Sequence, residues 1–140
     1  MKRVMVIGAN GAGKRTLVGA LTSSQFRRMR TMAVEYYDQF IIPPGEFLEN
    51  RRFYPALITT AVDCDVLAFV QDATSKSSAF PPLFRSAFNC DAVGVISKID
   101  KDTADPHRAE RFLQASGITM FFHISTVDGQ GLEKFKKYIQ

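Results

Sequence analysis

The chain has no tryptophan, only two cysteines and two histidines, and no apolar run longer than a strand. Each shortage excludes a class of protein. Cys64 and Cys90 lack metal-ligand spacing and read as buried thiols of a reducing compartment. His107 and His123 are not spaced as a metal or acid–base pair and read as surface or strand-end residues. The apolar runs are too short to span a bilayer, so no membrane association is expected. Met1-Lys2-Arg3 is basic, but too few apolar residues follow before Gly8 for a signal-peptide core, and a cytoplasmic location is expected. Repeats, low-complexity tracts and linkers are also missing. A length of 140 residues suits one domain spanning the whole chain, 1–140.

What is present is ordinary for a globular chain: 46% apolar and 23% charged residues, twelve of them phenylalanine, with a formal charge of +4. Two basic clusters stand out, Arg27, Arg28 and Arg30, and Lys134, Lys136 and Lys137. Neither is interleaved with aromatics, so both read as solvated faces rather than a nucleic-acid surface; contact with phosphate or an acidic partner is the alternative.

Strand-like and helix-like segments alternate from end to end, the pattern of a mostly parallel sheet with helices on both faces. Val4–Ile7, Val66–Val70 and Ala92–Ile96 are continuous apolar runs and read as buried strands. Thr31–Tyr37 and Phe40–Ile42 read as a hairpin around Asp38-Gln39, closed by Pro43-Pro44-Gly45, and Met120–His123 as the last strand. Helices are expected over Lys14–Leu21, Phe47–Val62, Phe80–Phe88, Asp105–Ala115 and Asp128–Tyr138. Pro81-Pro82 would open the third of these, Asp105 would cap the fourth and Gly117 would end it. The sum is about six mostly parallel strands, with one antiparallel edge strand, and five helices. This is a three-layer α/β domain of the P-loop NTPase type, resembling a small GTPase.

The chemistry begins at Gly8-Ala9-Asn10-Gly11-Ala12-Gly13-Lys14. This Gly-x4-Gly-Lys string follows a buried strand and opens an amphipathic helix, the context in which such a pattern forms a phosphate site. Glycines let the backbone curl so that N–H groups point at phosphate oxygens, and the helix N-terminus adds positive potential. Lys14 would reach the outer phosphates. The next residue should carry a hydroxyl for Mg²⁺, but Arg15 stands there, and Thr16, turned by about 100° around the helix, does not replace it. A P-loop GTPase also places Asp-x-x-Gly after the hairpin; here Gly45 has Ile42 three residues before it. Both usual ligand positions for Mg²⁺ are therefore substituted, and no metal is expected at them. A guanidinium about 4 Å from Mg²⁺ would be repelled by roughly 8 kcal/mol at an effective dielectric of about 20. Arg15 then has three courses: solvent, a bidentate contact that offsets phosphate charge, or a partner protein. Asp72, at the end of the Val66–Val70 strand, belongs nearer the base than the metal.

Val93–Asp100 is a buried strand ending in Ser97-Lys98-Ile99-Asp100. A Lys-x-Asp in this place is the guanine-reading element of the fold. Asp100 would accept two hydrogen bonds from the guanine edge, and the Lys98 stem would lie over the purine. Ser97 replaces the commoner Asn, which weakens one expected tie to the phosphate loop. Ser125-Thr126 after the sixth strand would offer backbone N–H groups to the guanine carbonyl oxygen. Thr31 is the candidate for closure over a terminal phosphate, or simply a strand-start residue. Glu46 is a candidate general base, though a carboxylate facing a triphosphate is electrostatically awkward and efficient hydrolysis by the isolated domain is not expected. Glu49–Pro55 mixes charge with aromatics, as a partner surface or the start of an amphipathic helix would.

Three strings, Pro44-Gly45-Glu46-Phe47-Leu48-Glu49-Asn50-Arg51, Tyr54-Pro55-Ala56-Leu57-Ile58-Thr59-Thr60-Ala61 and Val70-Gln71-Asp72-Ala73-Thr74, resemble the ethanolamine- and propanediol-utilisation GTPase-like family (EutP/PduV) over essentially the whole chain. The resemblance implies a bacterial P-loop protein associated with metabolic microcompartments, with nucleotide roles for Gly8, Gly13, Lys14, Gly45, Lys98 and Asp100. It also implies a phosphotransfer activity such as acetate kinase in the ethanolamine branch. The family has Lys-Thr where this chain has Lys14-Arg15, and Asp-Thr-Pro-Gly-Glu where it has Ile42-Pro43-Pro44-Gly45-Glu46. The first expectation is therefore a GTP- or GDP-binding protein with weak or lost Mg²⁺-dependent hydrolysis. The alternatives are a non-enzymatic module that docks to a shell or enzyme protein, and an ATP-dependent kinase for a small carboxylate such as acetate.

Overall fold

The structure is a computed structural model and describes residues 1–22 and 34–140. Its elements run β1 (Val4–Gly8), α1 (Lys14–Leu21), β2 (Glu35–Tyr37), β3 (Phe40–Ile42), α2 (Glu46–Glu49), α3 (Tyr54–Ala61), β4 (Val66–Asp72), β5 (Asp91–Ser97), α4 (Pro106–Ala115), β6 (Phe121–His123) and α5 (Leu132–Ile139). The six strands form one sheet in the order β2-β3-β1-β4-β5-β6. Among the described residues, only the edge strand β2 is antiparallel to its neighbour.

Side chains of successive strand residues point to opposite faces, and the apolar runs fill both. Met5, Ile7, Leu67, Phe69 and Ile96 pack on one side with Leu57 of α3 and Leu113 of α4. Val4, Val6, Ala68, Val70, Val93 and Val95 pack on the other with Leu17 and Val18 of α1 and Phe135 and Ile139 of α5. This makes three layers, the expected fold. Because β1, β4 and β5 are parallel, their carboxyl ends open on the same edge. The phosphate loop, Asp72 and Lys98 all emerge there.

Two expected helices take other forms. The Phe47–Val62 segment divides into α2, a 3-10 turn at Arg51–Phe53 and α3. Asn50 is extended (φ −119°, ψ 114°), and its side chain accepts the Arg52 N–H. Pro55 has no N–H to continue the α ladder, and the Arg51 carbonyl accepts the Tyr54 N–H instead. The Phe80–Phe88 segment keeps only a 3-10 turn at Phe84–Ala87, with Leu83 in the left-handed region at φ 59°. Its amides go to the end of α4: Leu83 N–H to the Ala115 carbonyl at 2.9 Å and Arg85 N–H to Ser116 at 2.8 Å. Its rings gather on Phe69 instead of following a helical stripe, with Phe80 stacked at 4.6 Å and Phe84 at 5.9 Å between centroids. α5 starts at Leu132, not Asp128, because Gly131 at φ 80° turns the chain against the His123 carbonyl. The Asp105 cap on α4, accepting the Arg108 N–H, and the turn at Gly117 (φ 101°) match the expectation. Thr31 and the Arg27–Met32 segment lie outside the described residues.

Candidate functional site

The loop between β1 and α1 curls through two left-handed glycines, Gly11 at φ 82° and Gly13 at φ 98°, conformations that side chains with a Cβ rarely adopt. A cavity of about 400 Å³ lies over it. Asn10, Gly11, Ala12, Gly13, Lys14, Arg15 and Thr16 form its floor, and Ile42–Glu46, Glu35 and Lys98 its walls. Gly8 lies beneath, at the end of β1. Gly45 is packed so closely on the loop that a Cβ there would stand 2.6 Å from the Asn10 nitrogen. Only glycine lets α2 begin against the loop.

Lys14 is buried, and its ammonium folds back to donate to the Gly8 carbonyl at 2.6 Å and the Ala9 carbonyl at 3.1 Å. Burial, helped by the neighbouring Arg15 charge and opposed by Glu49, Glu46 and Glu35, lowers its pKa to about 8. Arg15 has a partner within the chain that was not among the courses open from the sequence. Its guanidinium forks onto Glu35 of β2, Nε to Oε2 at 2.8 Å and Nη2 to Oε1 at 3.1 Å. The Glu35 hydrogen bond raises the Arg15 pKa above its ordinary value. Glu46 does not stand alone over the cavity: its Oε1 lies 3.3 Å from Asn10 Nδ2. Glu49 accepts the Asn10 N–H at 2.8 Å.

The elements expected to read the base converge on the same loop. Ser97 Oγ donates to the Ala12 carbonyl at 2.8 Å, so serine supplies the tie that its substitution for Asn had put in doubt. Lys98, at φ 59°, donates to the Gly11 carbonyl at 2.6 Å and to Asp72 Oδ2 at 2.9 Å. Partial burial works against the Asp72 carboxylate, but hydrogen bonds from Thr74 and Lys98 outweigh it and hold its carboxyl below the ordinary value. Asp72 thus stands beside Lys98. Asp100 accepts the Ser125 hydroxyl at 3.0 Å. The Ser125 amide is not available as the sequence suggested, since it donates to the Gln130 carbonyl at 3.0 Å. Thr126 joins Gly13, Thr16, Ser97 and Lys98 around a cleft of about 70 Å³.

Glu35 was not singled out from the sequence, and Glu49 only as the first residue of the Glu49–Pro55 stretch. Glu35 had a usable signal: the Asp38-Gln39 turn pairs Tyr37 with Phe40, which sets Glu35 opposite Ile42, at the lost carboxylate position. For Glu49 no local pattern points to Asn10, 39 residues away.

A six-stranded sheet of this order, with a glycine loop at the end of its first strand, defines a P-loop protein of the GTPase fold. Solved structures that share it include a probable GTP-binding protein engB, with TM-score 0.68 and 18% identity over 97% of this chain and 95% of that one, and the bacterial selenocysteine-specific elongation factor EF-Sec, with TM-score 0.69 and 23% identity over 98% of this chain and 28% of that one. The chain belongs to the family described as "Ethanolamine utilisation - propanediol utilisation", whose model matches residues 1–140. Its relatives include the propanediol utilization protein PduV of Citrobacter freundii, 32% identical over 96% of this chain and 90% of that protein. They also include proteins named "Probable acetate kinase EutP" from Escherichia coli, 34% identical, and Salmonella typhimurium, 36% identical, each over 99% of this chain and 89% of the relative.

Proposed function

We propose that this chain binds a nucleotide at the loop cavity, GDP or GTP in preference to ATP, as a P-loop protein of ethanolamine or propanediol utilisation whose Mg²⁺-dependent hydrolysis is weak or lost. The observation that carries the reading is the joining of the phosphate loop to the Ser97–Asp100 element, by Ser97 to Ala12 and Lys98 to Gly11. A phosphate over the loop and a base beside Asp100 would belong to one ligand. The residues present do not fit Mg²⁺ held in the usual way. The side chains of Arg15 and Ile42 offer it no oxygen, and the Arg15 charge stands in that corner of the cavity.

The test is titration with fluorescent GDP and ATP, with and without Mg²⁺, on the natural chain and on the R15T/I42D double variant. The natural chain should favour GDP and gain little from Mg²⁺, and the variant should acquire metal dependence. Tightening by Mg²⁺ of roughly a hundredfold in the natural chain, about 3 kcal/mol, would refute the metal-site part. Preference for ATP would refute the base-reading part.

The relatives named as probable acetate kinases favour a second reading, phosphoryl transfer from ATP to a small carboxylate. It requires a route to the phosphate that avoids both substituted positions. Acetate-dependent formation of ADP by the purified chain would support it over the first.

A further inference from the structure

Among the described residues, every cationic side chain on the floor and walls of the loop cavity has an internal acceptor. Lys14 is held by the Gly8 and Ala9 carbonyls, Lys98 by Gly11 and Asp72, and Arg15 by Glu35. The Arg15 contact differs from the others because its acceptor is a carboxylate that itself lines the cavity. A carboxylate and a phosphate present the same pair of oxygens to a guanidinium fork, so the two compete for one geometry. Arg15 directly follows Lys14 at the start of α1, so its charge belongs to the phosphate end of the cavity. The pair is only partly exposed, 29% for the Arg15 side chain and 15% for Glu35, so it is neither freely solvated nor sealed in the core.

We propose that Arg15 is a phosphate ligand and that Glu35 is its placeholder, holding the guanidinium until a nucleotide phosphate takes it over. This rests on the nucleotide reading above and adds a device to it. The resident guanidinium supplies positive charge where a divalent ion is usually recruited, and its transfer cuts the tie between α1 and the edge strand β2. Occupancy of the cavity is thereby communicated to β2 by an arginine exchanging partners. Glu35 is suited to this because it sits on a three-residue strand that, among the described residues, has a neighbour on one side only.

The experiment is a double-mutant cycle on Arg15 and Glu35, read by calorimetric titration with GDP and with inorganic pyrophosphate in EDTA. E35Q should tighten both ligands about tenfold, equivalent to ~1.4 kcal/mol. R15A should weaken both by a similar factor, and E35Q should bring no gain in the R15A background. An equal gain in both backgrounds would mean that Glu35 acts only as a nearby negative charge, and it would overturn the exchange. Unchanged or weaker binding by E35Q would overturn it too. Amide exchange across residues 35–37 of the natural chain is an independent readout that needs no variant. It should speed up on adding GDP, and slowing or no change with GDP bound would refute the release of β2. If neither ligand binds any variant, the nucleotide reading falls and the exchange with it; binding without coupling sinks the exchange alone.

Discussion

Lys14 makes a prediction whose sign is unusual for a lysine with hydrogen-bond partners. Burial lowers its pKa from 10.5 in the open chain to about 8 in the folded protein. Below pH 8 both states hold the proton, and the fold carries the full penalty of a desolvated ammonium. Between pH 8 and 10.5 the folded protein has released the proton and the unfolded chain has not, so stability should rise with pH. At ~1.4 kcal/mol per pH unit, the displacement is worth about 3 kcal/mol. The bonds to Gly8 and Ala9 favour the charged form and reduce that figure. The perturbation is Lys14→Met, which fills the same space without a charge. The assay is urea unfolding of both proteins at pH 7 and pH 10. The difference in unfolding free energy should shift in favour of the natural chain by about 1–3 kcal/mol on going to pH 10. Subtracting the variant removes other groups that titrate there, including Cys64, whose thiol burial pushes up to about 11. A difference independent of pH would show that Lys14 keeps an ordinary pKa, and the account of its burial would be wrong.

Two further substitutions test the packing and the capping. Phe69 is fully buried with Phe80, Phe84 and Phe88 around it, so Phe69→Ala should cost about 3–5 kcal/mol in urea unfolding and free the 3-10 turn from the sheet; a loss under about 1 kcal/mol would contradict the ring cluster. Asp105→Ala removes the cap on the Arg108 N–H and should cost about 1 kcal/mol by the same measurement, with the nucleotide affinity unchanged.

The parts of the site that could be read in advance are those written in neighbouring residues. A strand of four or five buried apolar residues, a glycine loop and a helix stripe are encoded within one short window, and β1, the loop and α1 came out where the string placed them. The Ser97–Asp100 element was legible for the same reason. Phe80–Phe88 was misread because its apolar spacing fits a helix equally well. Two prolines without amides, and the carbonyls at the end of α4 that take Leu83 and Arg85, decide against one. The break at Asn50 was hidden in the same way, since a single extended residue with a side-chain cap leaves the periodicity on either side intact.

By itself, the sequence determined that a phosphate-type loop follows a buried strand, and that neither the Arg15 nor the Ile42 side chain can lend an oxygen to a metal. It left open where the guanidinium goes. Only the tertiary structure decided that, by bringing Glu35 across from β2 to Arg15 and Glu49 from α2 to Asn10. The physical reason is reach: backbone preference and apolar period act over a few residues, whereas an ion pair between α1 and an edge strand exists only once hairpin register and sheet order have set the two side chains face to face.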